Sequence, residues 1–213
     1  MPSMLQLIFE LLGTVAFAAS GAITALSKGM DVFGVVTLGL VTAVGGGCLR
    51  DVILGDTPPA IFTNPIYAVV AVVVSLIIFI PAVRRLLFKK HRIYDIAMLL
   101  MDSIGLGVFT VVGVQMSFTS TGEFNVFLMM FVGLVTGTGG GILRDMMAGN
   151  TPYIFVKHFY ACASLIGAAC CIVIWRVFNA TAATYVGAAV VIVLRLLAAH
   201  YHWSLPKAKG EIE

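Results

Sequence analysis

The residues of this chain best suited to chemistry are two arginine–aspartate pairs, each just after a run of three glycines. Arg50 and Asp51 end the phrase TAVGGGCLRD, and Arg144 and Asp145 end the phrase TGTGGGILRD. The flanking residues are almost all apolar, so these charges are expected inside a membrane. Ionisable side chains there usually face a wet interior and mark the path of an ion or solute. The pairs therefore predict a lining that acts on charged solutes.

The two phrases belong to an internal duplication. At one constant offset the positions that coincide include Thr42 with Thr136, both glycine triplets, both Arg–Asp pairs, and Thr57-Pro58 with Thr151-Pro152. A weaker match upstream aligns Glu10 with Asp102, two further acids in apolar surroundings. Each copy thus spans about ninety residues and carries one acid, one glycine triplet and one Arg–Asp pair.

The glycine triplets need a physical reason, because each glycine inside a helix costs roughly 1 kcal/mol relative to alanine. The residues concerned are Gly45, Gly46, Gly47, Gly139, Gly140 and Gly141. Close packing of two helices is one reason, since small residues let backbones approach. Packing motifs space small residues every four positions, however, and a run of three favours a break in the helix. The freed carbonyls would then need water or an ion, which predicts a wet cavity with a pore hinge at each triplet.

The charged residues after the triplets have two interpretations. They could line a pore and tune cation passage on each side. Alternatively, each arginine could cap freed carbonyls while a nearby acid balances its charge. Adjacent helix positions point about 100° apart, so the sequence does not require Arg50 to contact Asp51. Counting along the spans puts these two charges toward one membrane side, and Arg144 and Asp145 toward the other, which argues against pairing across the repeats.

The composition is typical of a membrane protein. Apolar residues make up 60% of the chain, charged residues 11%, and the mean hydropathy is +1.05. A membrane-spanning helix needs about 20 mostly apolar residues. The stretches that qualify are about 5–26, 32–54, 66–83, 94–117, 124–147, 159–176 and 181–199. We therefore expect an all-α integral membrane protein with seven transmembrane helices.

Basic residues set the expected orientation, because cytoplasmic loops carry an excess of lysine and arginine. The segment between the third and fourth spans contains Arg84, Arg85, Lys89, Lys90 and Arg92. With this loop in the cytoplasm, the N-terminus lies outside and the C-terminus inside the cell inner (plasma) membrane. The basic residues that then fall on the cytoplasmic side as well are Lys28, Lys157, Lys207 and Lys209.

Three spans in each copy make the second repeat inverted relative to the first. Residues 1–88 form the first three-helix repeat, residues 89–178 the second, and residues 179–213 the seventh helix with a cytoplasmic tail. Inverted repeats commonly enclose a conduction path between two related halves. Glu10 then lies near the outer mouth and Asp102 near the inner one, which suits attraction of cations. Alternatively, each acid reaches the headgroups.

Other classes of function are not indicated by these residues. The chain has no nucleophile with a neighbouring base, no metal-ligand spacing among its cysteines and histidines, and no interleaved basic and aromatic residues. We therefore predict that it is not an enzyme, that it needs no cofactor or tightly bound metal, and that it binds no nucleic acid. The basic segment 84–92 could contact anionic membrane lipid, although a topology signal explains it more simply.

The duplicated GGGxxRD motif in a seven-span chain of this size resembles the trimeric intracellular cation (TRIC) channel family in its prokaryotic branch, whose sequences are also grouped under a two-copy glycine-transporter domain. The resemblance covers about residues 5–200. It implies a homotrimer in which every protomer has its own hourglass pore. That pore would be lined by spans two and five, kinked at the glycine triplets, and would conduct monovalent cations, chiefly potassium.

Two functions remain open at this point. A channel needs a continuous wet path with weak ion contacts, whereas a secondary transporter for glycine or another small amino acid closes around a midplane site. Acids expected at both mouths, and no obvious proton relay or sodium site, favour the channel. A membrane scaffold whose glycines only pack helices is a third interpretation, which triplets at matching positions in both copies disfavour.

Overall fold

The computed structural model describes residues 4–156 and 159–203, and these residues form α-helices and no β-strand. In chain order the helices are α1 (Met4–Ser27), α2 (Val32–Leu54), α3 (Ala60–Thr63), α4 (Ile66–Phe79), α5 (Pro81–Phe88), α6 (His91–Thr121), α7 (Val126–Met147), α8 (Tyr153–Val156), α9 (Tyr160–Val177) and α10 (Ala180–His200). Lys157, Lys207, Lys209 and the expected tail beyond residue 203 lie outside the described residues.

The all-helical membrane fold predicted from composition is confirmed. Helices α1, α2, α6, α7, α9 and α10 are each long and apolar enough to cross a membrane, and α4 with α5 makes a seventh candidate if the two count as one span. The largest difference in length is α6, with 31 residues, where the sequence predicted only 94–117. That prediction followed the apolar centre of the helix, and the polar ends extend the helix beyond it.

The third predicted span, 66–83, is wrong at its C-terminal end. Helix α4 ends at Phe79, and α5 is bent from it by 71°. Pro81 explains the bend, because proline has no N–H for a helical hydrogen bond and disfavours the helical conformation in the residue before it. Ile80 accordingly has an extended ψ of 131°.

Helices α2 and α7 meet at the glycine triplets, and both are continuous through them. The helix break predicted from the triplets is therefore wrong, and no half-helix ends form there. A Cβ on Gly46 would overlap the carbonyl oxygen of Thr136, and a Cβ on Gly140 would overlap that of Thr42. Glycine is needed at these two positions because the two helix backbones approach closely.

The contacts between α2 and α7 are reciprocal. Besides the two glycine–threonine contacts, the side chain of Leu143 lies over Gly45, and that of Leu49 lies over Gly139. A two-fold relation exchanges partners in this way, as expected of two inverted three-helix repeats. Helix α10 packs on α6 and α9, at one side of this arrangement. The repeat boundaries after residues 88 and 178 stay predictions.

Candidate functional site: two buried charged clusters

The first charged group, called here the first-repeat cluster, comprises Glu10 of α1, Arg50 and Asp51 of α2, and Tyr67 of α4. Arg50 donates through Nε to Asp51 Oδ1 at 2.7 Å, and its Nη2 lies 2.7 Å from the same oxygen. Its Nη1 is 3.6 Å from Glu10 Oε1, while the Tyr67 hydroxyl donates to Glu10 Oε2. All three charged residues are buried. The two adjacent residues of the motif are therefore ion partners.

The second charged group, the second-repeat cluster, comprises Asp102 of α6, Arg144 and Asp145 of α7, Tyr160 of α9 and Arg195 of α10. Arg144 donates through Nε to Asp145 Oδ1 at 2.8 Å and through Nη1 to Asp102 Oδ1 at 2.7 Å. The Tyr160 hydroxyl donates to Asp102 Oδ1 at 3.4 Å. Arg195 Nη2 lies 4.0 Å from Asp102 Oδ2. This cluster repeats the first one and adds a second arginine.

The aspartates of the two motifs share a second role. Asp51 Oδ2 accepts a hydrogen bond from the backbone N–H of Ala60 at 2.8 Å, and Asp145 Oδ2 accepts one from Tyr153 at 2.9 Å. Ala60 and Tyr153 are the first residues of α3 and α8. The first N–H groups of a helix have no partner within it, so each aspartate joins an arginine to the start of the following short helix.

The second-repeat cluster is also tied to the first repeat. Arg144 Nη1 donates to the hydroxyl of Ser20 in α1, and the Arg144 guanidinium carbon lies 5.0 Å from the centre of the Tyr153 ring. In the upstream alignment Ser20 matches Val112, which has no polar side-chain atom. The first-repeat cluster therefore cannot form the matching cross-repeat hydrogen bond.

Each cluster borders a cavity, and the two cavities differ in size. The first cavity measures about 40 Å³ and is lined by residues that include Glu10, Gly47 and Arg50. One water requires roughly 10–15 Å³, so this space accommodates water. The second cavity measures about 470 Å³, and its walls include Asp102 and Arg195. The two cavities share no lining residue.

The structure separates the six glycines of the triplets into two groups. Gly45, Gly46, Gly139 and Gly140 lie in the contact between α2 and α7. Gly47 borders the first cavity, and a Cβ on Gly141 would lie 3.0 Å from the Tyr160 hydroxyl. The third glycine of each triplet therefore faces a charged cluster, whereas the first two face the other helix.

Four residues of the two clusters were not predicted from the sequence: Ser20, Tyr67, Tyr160 and Arg195. Both tyrosines occupy corresponding places in the third spans of the two repeats, so extending the alignment with a one-residue shift finds them. Arg195 lies in α10, outside the duplication, where no repeat signal exists. Across residues 4–156 and 159–203, no three His, Cys, Asp or Glu side chains gather into a metal site.

The fold and these clusters define a class of protein: an all-helical membrane protein of two inverted repeats with a buried charged cluster in each. The profile of a family described as "Glycine transporter" matches residues 7–82 and 99–176, one segment in each repeat. The chain belongs to this family.

Individual relatives agree with this assignment over nearly the whole chain. The UPF0126 inner membrane protein YadS of Escherichia coli (strain K12) is 35% identical over 205 residues, which are 95% of this chain and 96% of YadS. A solved TRIC cation channel is 35% identical with a TM-score of 0.84, covering 97% of this chain and 98% of that one.

The TRIC trimeric intracellular cation channel orthologue from Rhodobacter sphaeroides is 29% identical, with a TM-score of 0.85, and covers 94% of this chain and 100% of that one. The resemblance to prokaryotic TRIC channels stated from the sequence is confirmed. These solved neighbours are channels by description and not enzymes.

Proposed function

We propose that this protein is a monovalent cation channel, with potassium as its main ion, and that each protomer of a homotrimer contains its own pore. The observation that carries the proposal is the pair of buried, acid-containing clusters at matching positions of the two repeats, each beside a cavity. Intramembrane acids of this kind are typical of ion paths. The solved neighbours described as TRIC cation channels, one of them trimeric, support the same conclusion.

The first-repeat cluster suits a cation. Glu10 and Asp51 together outnumber the single arginine, so one negative charge remains in excess. Arg50 Nη1 and Glu10 Oε1 are 3.6 Å apart, which is longer than a hydrogen bond. Arg50 therefore binds the Glu10 carboxylate less strongly than it binds the Asp51 carboxylate. A partly hydrated carboxylate with spare lone pairs can replace some of the water that a potassium ion sheds on entry.

The conformation described here is closed under this proposal. The contact of Gly46 with Thr136, and of Gly140 with Thr42, lies between α2 and α7 where the two repeats meet. Conduction requires a wet connection between the two cavities, so these helices must separate or rotate at the triplets. The triplets then serve as the pore hinge, with helices two and five of the seven spans (α2 and α7) lining the pore.

The hinge role can be tested by Gly46→Leu and Gly140→Leu, which we expect to abolish current. Val52→Leu is the control, because Val52 is an exposed residue of the same helix and lies outside the triplet. Cross-linking should detect trimers in all three variants. Normal conduction by either leucine variant would contradict the hinge role.

A secondary transporter for glycine or another small amino acid is the alternative function. The observation that favours it is a pair of opposite charges with unused bonding capacity: Asp102 Oδ2 and Arg195 Nε have no hydrogen-bond partner in the described part of the chain. A zwitterion could offer its ammonium group to the first and its carboxylate to the second. The family description points the same way.

We also propose an orientation with the N-terminus outside and the C-terminus in the cytoplasm of the inner membrane. In this orientation, the basic residues of α5 and of the turn that follows it lie at the cytoplasmic face. Leu86 and Phe88 are exposed on the same short helix. Basic and apolar side chains on a helix bent away from its span suit the boundary between anionic headgroups and lipid tails.

Planar-bilayer recording of the purified protein in a potassium gradient tests the main proposal, with glycine present and absent and protein-free bilayers as the control. We expect unitary currents that reverse near the potassium equilibrium potential. Silent bilayers, together with saturable glycine uptake into liposomes of the same preparation, would overturn the channel and support the transporter.

A further inference from the structure

Helix α10 supplies a buried cation that the duplication does not account for. Arg195 is 4% exposed, and its guanidinium carbon lies 4.7 Å from the centre of the Tyr160 ring. Its Nη2 is 4.0 Å from Asp102 Oδ2. Because α10 follows the six duplicated spans, the first repeat has no helix that corresponds to it.

This arginine changes the charge balance of one cluster only. In the second-repeat cluster, Asp102 and Asp145 face the two guanidinium groups of Arg144 and Arg195, and the formal charges cancel. In the first-repeat cluster two carboxylates face the single guanidinium of Arg50. The two clusters therefore differ by one unit of formal charge, and Asp95 adds a further carboxylate to the wall of the second cavity.

Arg195 is held near Asp102 without being locked to it. The 4.0 Å separation is too long for a hydrogen bond, and Arg195 Nε has no hydrogen-bond partner among the described residues. Both residues lie in the wall of the 470 Å³ cavity. The guanidinium charge therefore acts on ions in that cavity as well as on its acid partner.

We propose that Arg195 is a specificity-determining residue that offsets one of the two carboxylate charges, Asp95 and Asp102, in the wall of the second cavity, so that cations enter the pore from that side less readily than they would without it. This inference rests on the channel function proposed above. Each negative charge in the wall of a cavity raises the local concentration of cations, and a nearby positive charge lowers it. The expected consequence is that the ratio of currents in the two directions in symmetric potassium chloride depends on Arg195.

The test is Arg195→Gln, recorded in bilayers with symmetric potassium chloride at low ionic strength. We expect current carried by ions entering from the second-repeat side to rise roughly 2- to 10-fold, so that the ratio of currents in the two directions changes by the same factor. The effect should fade in about 1 M salt, where the Debye length falls to about 3 Å. Loss of a merely structural contact would not produce that salt dependence. Asp95, which also lines the cavity, is retained throughout.

Three further variants complete the design. Arg195→Lys keeps the charge and should rectify like the wild type. Arg176→Gln removes an exposed arginine whose guanidinium lies over Phe124, and it is the matched control for loss of one charge. In the double variant Asp102→Asn with Arg195→Gln, the cluster keeps one arginine, Arg144, and one acid, Asp145, so its formal charge is again zero. This variant should rectify like the wild type, and it tests the proposal if Arg195→Gln alone does not fold.

Wild-type rectification in a folded Arg195→Gln channel would overturn the inference while leaving the channel function intact. Failure of Arg195→Lys or of the double variant to rectify like the wild type would also overturn it. Absence of current from the folded wild-type protein would instead overturn the proposed function itself.

Discussion

The first-repeat cluster and the second-repeat cluster share the same parts: an acid from the first helix of the repeat, an Arg–Asp pair from the second, and a tyrosine from the third. They differ in what surrounds those parts. Arg50 has two acidic partners, one of them at 3.6 Å, whereas Arg144 has two within 2.8 Å and a hydroxyl partner from the other repeat. Duplication preserved the motif, and elements outside the motif made the copies unequal.

That inequality has an energetic meaning. A fully buried ion pair gains little overall when it forms, but removing one partner is strongly destabilising because the other charge stays buried. The Arg144 and Asp102 side chains are both 0% exposed, compared with 5% and 10% for Arg50 and Glu10. We therefore expect the loss of an acid from the second-repeat cluster to destabilise the fold more than the loss of an acid from the first.

The largest expected difference between the clusters is in their acids. Asp102→Asn leaves two buried arginines with one acid, and we expect a loss of about 3–5 kcal/mol in the free energy of unfolding. Glu10→Gln leaves Arg50 paired with Asp51 and keeps an acceptor for the Tyr67 hydroxyl, so we expect a smaller loss of about 1–3 kcal/mol. Thermal unfolding of the purified proteins in detergent, followed by size-exclusion chromatography, measures both. Equal losses would mean that the two clusters contribute equally to the stability of the fold.

A smaller effect is expected where the two repeats are equivalent. Gly46→Ala and Gly140→Ala each push a methyl group against a backbone carbonyl of the facing helix, and we expect each to cost about 1–3 kcal/mol. The same unfolding assay applies. Because the contacts are reciprocal, the two losses should agree, and Gly47→Ala should be close to neutral. Unequal losses for Gly46 and Gly140 would show that the helix contact is as asymmetric as the clusters.

Ion selectivity should respond at the first-repeat cluster. Glu10→Gln removes its excess negative charge, so we expect the preference for potassium over chloride to fall by up to about 10-fold, equivalent to about 1.4 kcal/mol. The reversal potential in a potassium chloride gradient measures this change. Asp51→Asn should lower the preference too, but it also removes the hydrogen bond to Ala60 and should lower stability. A reversal potential unaffected by Glu10→Gln would assign Glu10 a structural role.

The smallest effects are expected from the two tyrosines. Tyr67→Phe removes a hydroxyl donor to Glu10 and should lower the free energy of unfolding by about 1 kcal/mol. Tyr160→Phe removes a hydrogen bond of 3.4 Å to Asp102, which Arg144 also binds, and should lower it by only about 0.3 kcal/mol. Midpoints of thermal unfolding rank the two. A larger loss for Tyr160→Phe would mean that its hydroxyl, not Arg144, is what holds Asp102 in place.

Much of the fold and part of the candidate site followed from the sequence. Apolar stretches predicted the helices that cross the membrane, and the duplication brought Glu10 and Asp102, with both Arg–Asp pairs, to matching places. The bend after Phe79 could also have been read from Pro81, which lies inside the predicted third span. The helix break was wrong because three glycines permit a break without requiring one, and the choice depends on what packs against them.

Hydropathy and self-similarity are properties of residue order, so the sequence by itself determined that this protein is a helical membrane protein with two related halves and charges in each. Only the tertiary structure decided that Gly46 faces Thr136, that Arg144 reaches Ser20, and that Arg195 joins Asp102. These contacts join residues far apart in the chain. They depend on the rotation and separation of packed helices, which side chains from several elements set together, and no local pattern records them.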